Sequence, residues 1–214
     1  MGITAEALSR QFPFLYHMAE AASWPSIEKY GLLSTSALLD LFKISGPRRV
    51  LIEAQHRSES IKIRNTAYGV ATIRDQKPMS DNGLIRCLKD DLTPSQWYKI
   101  LNEKVFFWLS YDRLMRLVNA KAYRNRRHCV LTINTAQLLK RHSERVVLSP
   151  INSGCTKPYP HPRGRNTFLP MAEYQFDYWS KKRNRKDPIV ELAVRHSVPD
   201  LREFIVNVKY MVGS

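Results

Sequence analysis

The stretch Phe14-Leu15-Tyr16-His17-Met18-Ala19, followed by Ser23-Trp24-Pro25-Ser26-Ile27-Glu28-Lys29-Tyr30-Gly31, constrains the fold more than any other part of the chain. It reads as a short buried strand ending near a histidine, then one compact helix, then a glycine stop. Ser23 is of the type that caps helices, and Pro25 is tolerated in a first turn, where an N–H has no intrahelical partner. Gly31 suits the left-handed position that ends a helix. A proton-carrying side chain at the end of an apolar strand needs a partner, which is either structural or a ligand.

The rest of the chain supplies more elements of both kinds. Val105-Phe106-Phe107-Trp108-Leu109 is a continuous apolar run, as in a central strand, and Ser110 stands where it can cap a helix over 111–119. Thr93-Pro94-Ser95-Gln96 has the makings of a capping box and predicts a helix over 94–102 that buries Trp97, Ile100 and Leu101. Further helices, or a helix-like arm at 1–13, are expected over 36–42, 48–56 and 83–88, with Gly46-Pro47 as a break, and after Thr135 as a cap. Strands are expected over 61–63, 70–73, 129–133, 146–148, 189–194 and 204–208, the last two joined by a turn around Val198-Pro199-Asp200. Strands and helices mix without strict alternation, which points to an α+β fold rather than a doubly wound parallel sheet. Residues 149–170 carry Pro150, Pro158, Pro160, Pro162 and Pro170 with Gly154 and Gly164, so they form no regular element. Long loops of this kind are functional or disordered.

A chain of 214 residues supports one substantial core, and a single domain over 1–214 is expected. The net charge of +15 favours an anionic partner: nucleic acid, an acidic protein or an acidic membrane surface. The alternative is a basic surface with no bearing on function. No apolar run approaches the roughly 18 residues of a membrane span. The N-terminus lacks a signal-peptide pattern, and Cys87, Cys129 and Cys155 suggest neither a disulfide framework nor a zinc site, so a reducing, cytoplasmic setting is expected. The P-loop, the dinucleotide glycine fingerprint and the nucleophile elbow are absent from the sequence.

Each candidate residue has two readings. His17 is either a core histidine bonded to backbone or a donor that grips a sugar hydroxyl or carboxamide. Glu191 lies in Ile189-Val190-Glu191-Leu192-Ala193-Val194, opposite a fully apolar face; it is an edge glutamate facing water or a carboxylate held in a cleft. Phe107 and Trp108 are core, or rings against which a nicotinamide or base stacks. Arg113 belongs to a solvated helix face or pairs with a phosphate. Asn152-Ser153-Gly154 and His161-Pro162-Arg163-Gly164-Arg165-Asn166-Thr167 form a charged surface loop or offer phosphate and base contacts. The run Lys181–Lys186 is a solvated segment or helps hold a polyanion.

Three stretches together resemble the ADP-ribosyltransferase superfamily, most of all the DarT-type nucleic-acid ADP-ribosyltransferases. Leu15-Tyr16-His17-Met18, with Ser23 to Ile27 and Gly31-Leu32, is similar to that family's first motif. Val105 to Ser110, followed by Arg113 and Met115, is similar to the second, and Val190-Glu191-Leu192-Ala193-Val194 with Val198-Pro199 to the third. Ala19 departs from the hydroxyl residue usual there, and Ser23 from asparagine. The resemblance implies two small packed sheets, surrounding helices and an NAD cleft between the sheets. It implies a mono-ADP-ribosyltransferase, a glycosyltransferase-class enzyme, that modifies RNA or DNA as a toxin or phage-defence effector, with an antitoxin protein as a partner and no membrane. An NAD glycohydrolase, an RNA 2′-phosphotransferase or a non-enzymatic RNA-binding module are the other functions this fold would carry. Under the resemblance Glu191 and Arg113 are catalytic, His17, Phe107, Trp108 and Ser110 bind NAD, and Asn152, Arg163 and Arg165 meet the target; no metal is implied.

Overall fold

The computed structural model describes residues 2–183 and 187–214. Helix α1 (Ala5–Gln11) leads into strand β1 (Phe14–Glu20), followed by helix α2 (Trp24–Tyr30), strand β2 (Leu32–Leu33), and helices α3 (Thr35–Leu41) and α4 (Gly46–Glu53). A hairpin of β3 (Ile61–Asn65) and β4 (Gly69–Ile73) comes next, then helices α5 (Asp81–Ile85) and α6 (Pro94–Asn102). Strand β5 (Lys104–Trp108), helix α7 (Tyr111–Val118), strand β6 (His128–Asn134), helix α8 (Thr135–His142) and strand β7 (Val146–Ser149) follow. Beyond them lie β8 (Leu169–Pro170), α9 (Phe176–Lys182), β9 (Glu191–Arg195), β10 (Ser197–Val198) and β11 (Ile205–Met211).

The architecture is α+β. Its main sheet has seven antiparallel strands in the order β11-β6-β1-β5-β9-β7-β8, and two two-stranded sheets, β10-β2 and β3-β4, accompany it. This corrects the expectation of two small packed sheets. The sheet is nevertheless divided. Strand β1 pairs with β6 along its whole length but meets β5 at one register pair only, Tyr16 opposite Trp108. The row continues from Trp108 to Glu191 and from Glu191 to Ser149. Residues directly opposite in an antiparallel pair point to the same face, so Tyr16, Trp108, Glu191 and Ser149 line up on one side of the sheet.

The other side carries the largest core, in which Leu15, Phe107, Leu131, Leu148 and Leu192 pack with Leu8 of α1 and Leu138 and Leu139 of α8. On the Trp108 side the cover is split. Met18, Val130, Leu114 and Val118 form a cluster with α7, while Val147 and Ala193 pack with Trp97 and Leu101 of α6 and with Phe168. A further cluster, with Leu39, Phe42, Ile52, Ile63 and Ile73, joins α3, α4 and the β3–β4 hairpin.

Local chemistry explains most element ends. In α6 the Gln96 N–H donates to Thr93 Oγ1 (3.3 Å) and the Thr93 N–H to Gln96 Oε1 (2.8 Å), the reciprocal box read from the sequence. Three caps differ from expectation. Ser23 ends a 3-10 turn with helical backbone (φ −83°, ψ −15°), so its hydroxyl makes no cap bond, and Ser110 makes none either. Asn134, not Thr135, caps α8: its Oδ1 accepts from the Gln137 N–H at 3.0 Å. Gly46-Pro47 forms the first turn of α4 rather than a break before it, since proline costs nothing there. Gly31 has φ +75° and ψ −169°, and a Cβ there would lie 2.3 Å from the Val198 carbonyl oxygen. Only glycine lets α2 turn this close beneath the β2–β10 pair.

Candidate functional site

A cavity of about 340 Å³ opens at the β1–β5 seam and draws on both faces of the sheet: His17, which alternates with Tyr16 and so belongs to the core face, and Met18, Phe106, Trp108 and Glu191 from the other, with Asn152. Strands β1 and β5 bring His17 and Trp108 to it, β9 brings Glu191, and the loop after β7 brings Asn152 and Gly154.

His17 sits in the seam. Its Nδ1 lies 2.8 Å from the Phe106 carbonyl oxygen, and its ring centre is 5.9 Å from that of Phe107. Burial pushes its pKa down to about 4, against the carbonyl bond, with nearby Arg74 adding to the depression. The imidazole is therefore neutral at pH 7. A carbonyl only accepts, so Nδ1 carries the proton and Nε2 has a free lone pair. The backbone-bonded reading of His17 is the one observed, and its other ring nitrogen offers a lone pair rather than a proton.

Glu191 is 5 % exposed, at the first position of β9. Its Oε2 accepts the Ser153 N–H at 3.1 Å. Burial pushes the carboxyl up to about 7, tempered by the Ser153 bonds and by the charges of Arg163 and Arg113. A carboxyl that changes charge near neutrality can stabilise positive charge or carry a proton.

The remaining sequence candidates divide. Phe107 is 1 % exposed, belongs to the main core and reaches the cavity wall, and Trp108 is half-buried and packs with the α7 cluster. Neither Ser110 nor Arg113 lines the cavity. Arg113 is ion-paired through Nη2 to Asp187 at 2.9 Å. Arg163 is turned inward, 1 % exposed, with its guanidinium on the carbonyls of Ser153 (2.7 Å), Cys155 (2.8 Å) and His161 (3.0 Å). Three of its five N–H donors are bonded inside the loop and the side chain is shut off from the surface, so the surface contact expected of it is corrected to an internal one. Arg165 is exposed, and its backbone N–H donates to Asp90 Oδ2 at 2.7 Å. Of the basic run, Lys181 and Lys182 end α9, Arg183 follows, and 184–186 lie outside the described residues.

Sequence reading missed the cationic part of the wall. Arg57, Arg74 and Lys104 line the cavity, as do Glu20, Asp75 and Asn102. Arg57 donates to the Arg74 carbonyl (3.1 Å), to Asn102 Oδ1 (2.9 Å) and to the Ile52 carbonyl. Arg74 donates to the Met18 carbonyl (3.3 Å) and stacks 4.3 Å from the centre of the Tyr123 ring, whose hydroxyl donates to Asp75 at 2.7 Å. Lys104 Nζ donates to the Ile100 carbonyl at 2.6 Å, and burial lowers its pKa to about 8. Arg57 and Arg74 stand among polar neighbours and carry no sequence signal. Lys104, directly before the apolar run of β5, carried a weak one. Among the described residues no group of three or more His, Cys, Asp or Glu side chains is placed to hold a metal.

The model of a family of unknown function, DUF7002, matches residues 13–205. The chain belongs to this family. The matched segment contains β1, β5 and β9, so His17, Trp108 and Glu191 all lie within the DUF7002 region. No curated protein and no solved structure matches. No helix among the described residues of this DUF7002 chain is long and apolar enough to cross a membrane.

Proposed function

We propose that this DUF7002 chain is an NAD-dependent mono-ADP-ribosyltransferase that modifies nucleic acid. The observation that carries the reading is the meeting of His17, Trp108 and Glu191 in one cavity. They come from three separate stretches of chain, each similar to a motif of one superfamily. The cavity's volume is within the roughly 300–1,000 Å³ of small-molecule sites, and its mixture of one aromatic wall with a few polar groups suits a nucleotide.

When bound, NAD supplies the ADP-ribosyl group and releases nicotinamide. In this reading His17 Nε2 accepts from a ribose hydroxyl or from the carboxamide N–H, since its Nδ1–H is held by Phe106. Trp108 packs on the nicotinamide ring. Glu191 accepts from the ribose hydroxyl and faces the positive charge that develops as the glycosidic bond breaks, the kind of stabilisation that usually dominates such barriers. With its carboxyl near 7, Glu191 is also able to take the acceptor's proton. Asn152 and Gly154 line the cavity wall, and in this reading Asn152 meets the acceptor. The net charge of +15 and exposed Arg165 favour a polyanionic acceptor.

The test is incubation with NAD labelled in its ADP-ribose, together with RNA, DNA or protein. Label is expected on nucleic acid, reduced about 10²–10³-fold in Glu191→Ala. Absence of label on every acceptor, or equal labelling by wild type and variant, defeats the proposal. Nicotinamide release without an acceptor identifies a glycohydrolase instead.

A further inference from the structure

The loop residue that touches Glu191 does not hold itself in place. Asn152-Ser153-Gly154 is a short polar turn, yet the Ser153 N–H meets Glu191 Oε2 at 3.1 Å. The Ser153 carbonyl is fixed from behind by Arg163 Nη1 (2.7 Å) and Trp97 Nε1 (3.4 Å). The same guanidinium bonds Cys155 through Nη2 and His161 through Nε, so one side chain ties three points of the loop together. Arg163 itself has a firm base, because its N–H donates to the Cys87 carbonyl and its own carbonyl accepts from the Lys89 N–H, both at 2.9 Å. Burying a guanidinium against neutral carbonyls is costly unless a negative charge lies near. Arg163 interacts with the Cys87 thiol, with which it is hydrogen-bonded, then with Glu191, whose ionised form attracts it, and with Cys155.

We propose that Arg163 is a positioning residue that holds the Ser153 amide on the Glu191 carboxylate and supplies the loop-side positive charge facing it. Other charged or titratable groups around Glu191 are Arg113 from α7, engaged by Asp187, and neutral His17 from β1. Glu20, Arg57, Arg74, Asp75 and Lys104 are distributed around the rest of the wall. The effect on turnover rests on the proposed role of Glu191, but the contact itself is measurable in the free protein.

The experiment is NMR of protein carrying ¹³C at the glutamate carboxyls, titrated from pH 4 to 9, with the Glu191 signal assigned by its loss in Glu191→Gln. In wild type the carboxyl is expected to titrate near 7, with the Ser153 amide proton following the same midpoint. In Arg163→Gln the midpoint rises by about one pH unit and the Ser153 response is lost. Arg163→Lys, which keeps the charge but not the three-way fork, restores part of the midpoint. An unchanged midpoint and Ser153 response in folded Arg163→Gln overturns the proposal. Should that variant fail to fold, a wild-type Ser153 amide that ignores the Glu191 titration overturns it equally. A shared titration in a protein that never turns over NAD supports the positioning and rejects the enzymatic reading, so the two fail separately.

Discussion

Replacing Glu191 by glutamine should stabilise the fold at alkaline pH. The carboxyl is 5 % exposed and burial raises it from an ordinary 4.5 to about 7. Between those values the native protein keeps a proton that the unfolded chain has released, so stability falls as pH rises through that window. Above 7 the carboxylate is ionised in both states and the cost is complete. At about 1.4 kcal/mol per pH unit it is on the order of 3 kcal/mol. Glutamine is neutral, has almost the same shape, and its Oε1 can accept the Ser153 N–H, so it escapes this cost. His17 acts in the opposite direction: with a native pKa near 4 it loses stability as pH falls from about 6.5. Both proteins contain His17, so it cancels in their difference. Urea unfolding of wild type and Glu191→Gln at pH 5 and pH 8 measures the effect. The variant should be more stable by about 3 kcal/mol at pH 8 and by less than about 1 kcal/mol at pH 5. A variant no more stable than wild type at pH 8, or an advantage independent of pH, refutes the reasoning. Under the proposed function the same variant should also lose about 10²–10³-fold in ADP-ribosyl transfer, a trade of stability for chemistry common at reactive sites.

Other consequences can be checked separately. ADP-ribosyl transfer should rise with pH through about 7, the range in which Glu191 becomes a carboxylate, and then level off; a rate flat from pH 5 to 9 contradicts that role. Gly31→Ala should cost about 1–3 kcal/mol in backbone strain, plus the collision with the Val198 carbonyl, read as a lowered Tm. Arg57→Leu strips hydrogen bonds from the Ile52 and Arg74 carbonyls and from Asn102, and a loss of about 3 kcal/mol or more is expected in denaturant unfolding. Binding of an RNA or DNA oligonucleotide should weaken linearly in log Kd against log salt, and a salt-independent affinity removes the electrostatic basis for a nucleic-acid partner.

Features of this fold that depend on neighbours in sequence could be read from it. Thr93 and Gln96 form their box because the partners are three residues apart, and Gly31 ends α2 because its own backbone demands glycine. The apolar runs at Val105, Cys129 and Val146 became β5, β6 and β7 for the same reason: a continuous apolar run needs no partner identity to show its pattern, although β5 is fully buried on one face only. What depends on distant chain was hidden. Whether β1 and β5 lie in one sheet or two turns on a single register pair, Tyr16 with Trp108. Arg163, between proline and glycine, has the composition of an exposed residue, yet the carbonyls of Ser153, Cys155 and His161, the Trp97 ring and the Glu191 charge draw it inward. His17 could be seen as needing a partner. That the partner is the Phe106 carbonyl, which makes the histidine an acceptor on its other nitrogen, required the seam.

That seam also predicts how the molecule breathes. Ladder bonding holds β11, β6 and β1 as one unit and β5, β9 and β7 as another, while the backbone bonding described between them is the Tyr16–Trp108 pair, with the His17–Phe106 hydrogen bond beside it. Opening along it breaks far fewer bonds than opening either unit, so amide protons at the seam should exchange with solvent before those of β6 or β9. The core shared by Leu15, Leu131, Phe107, Leu148 and Leu192 still joins the two blocks, so this opening is local to the seam. A ligand bridging His17 on one block and Glu191 on the other would slow exchange along the line between them, giving a readout of binding that requires no turnover.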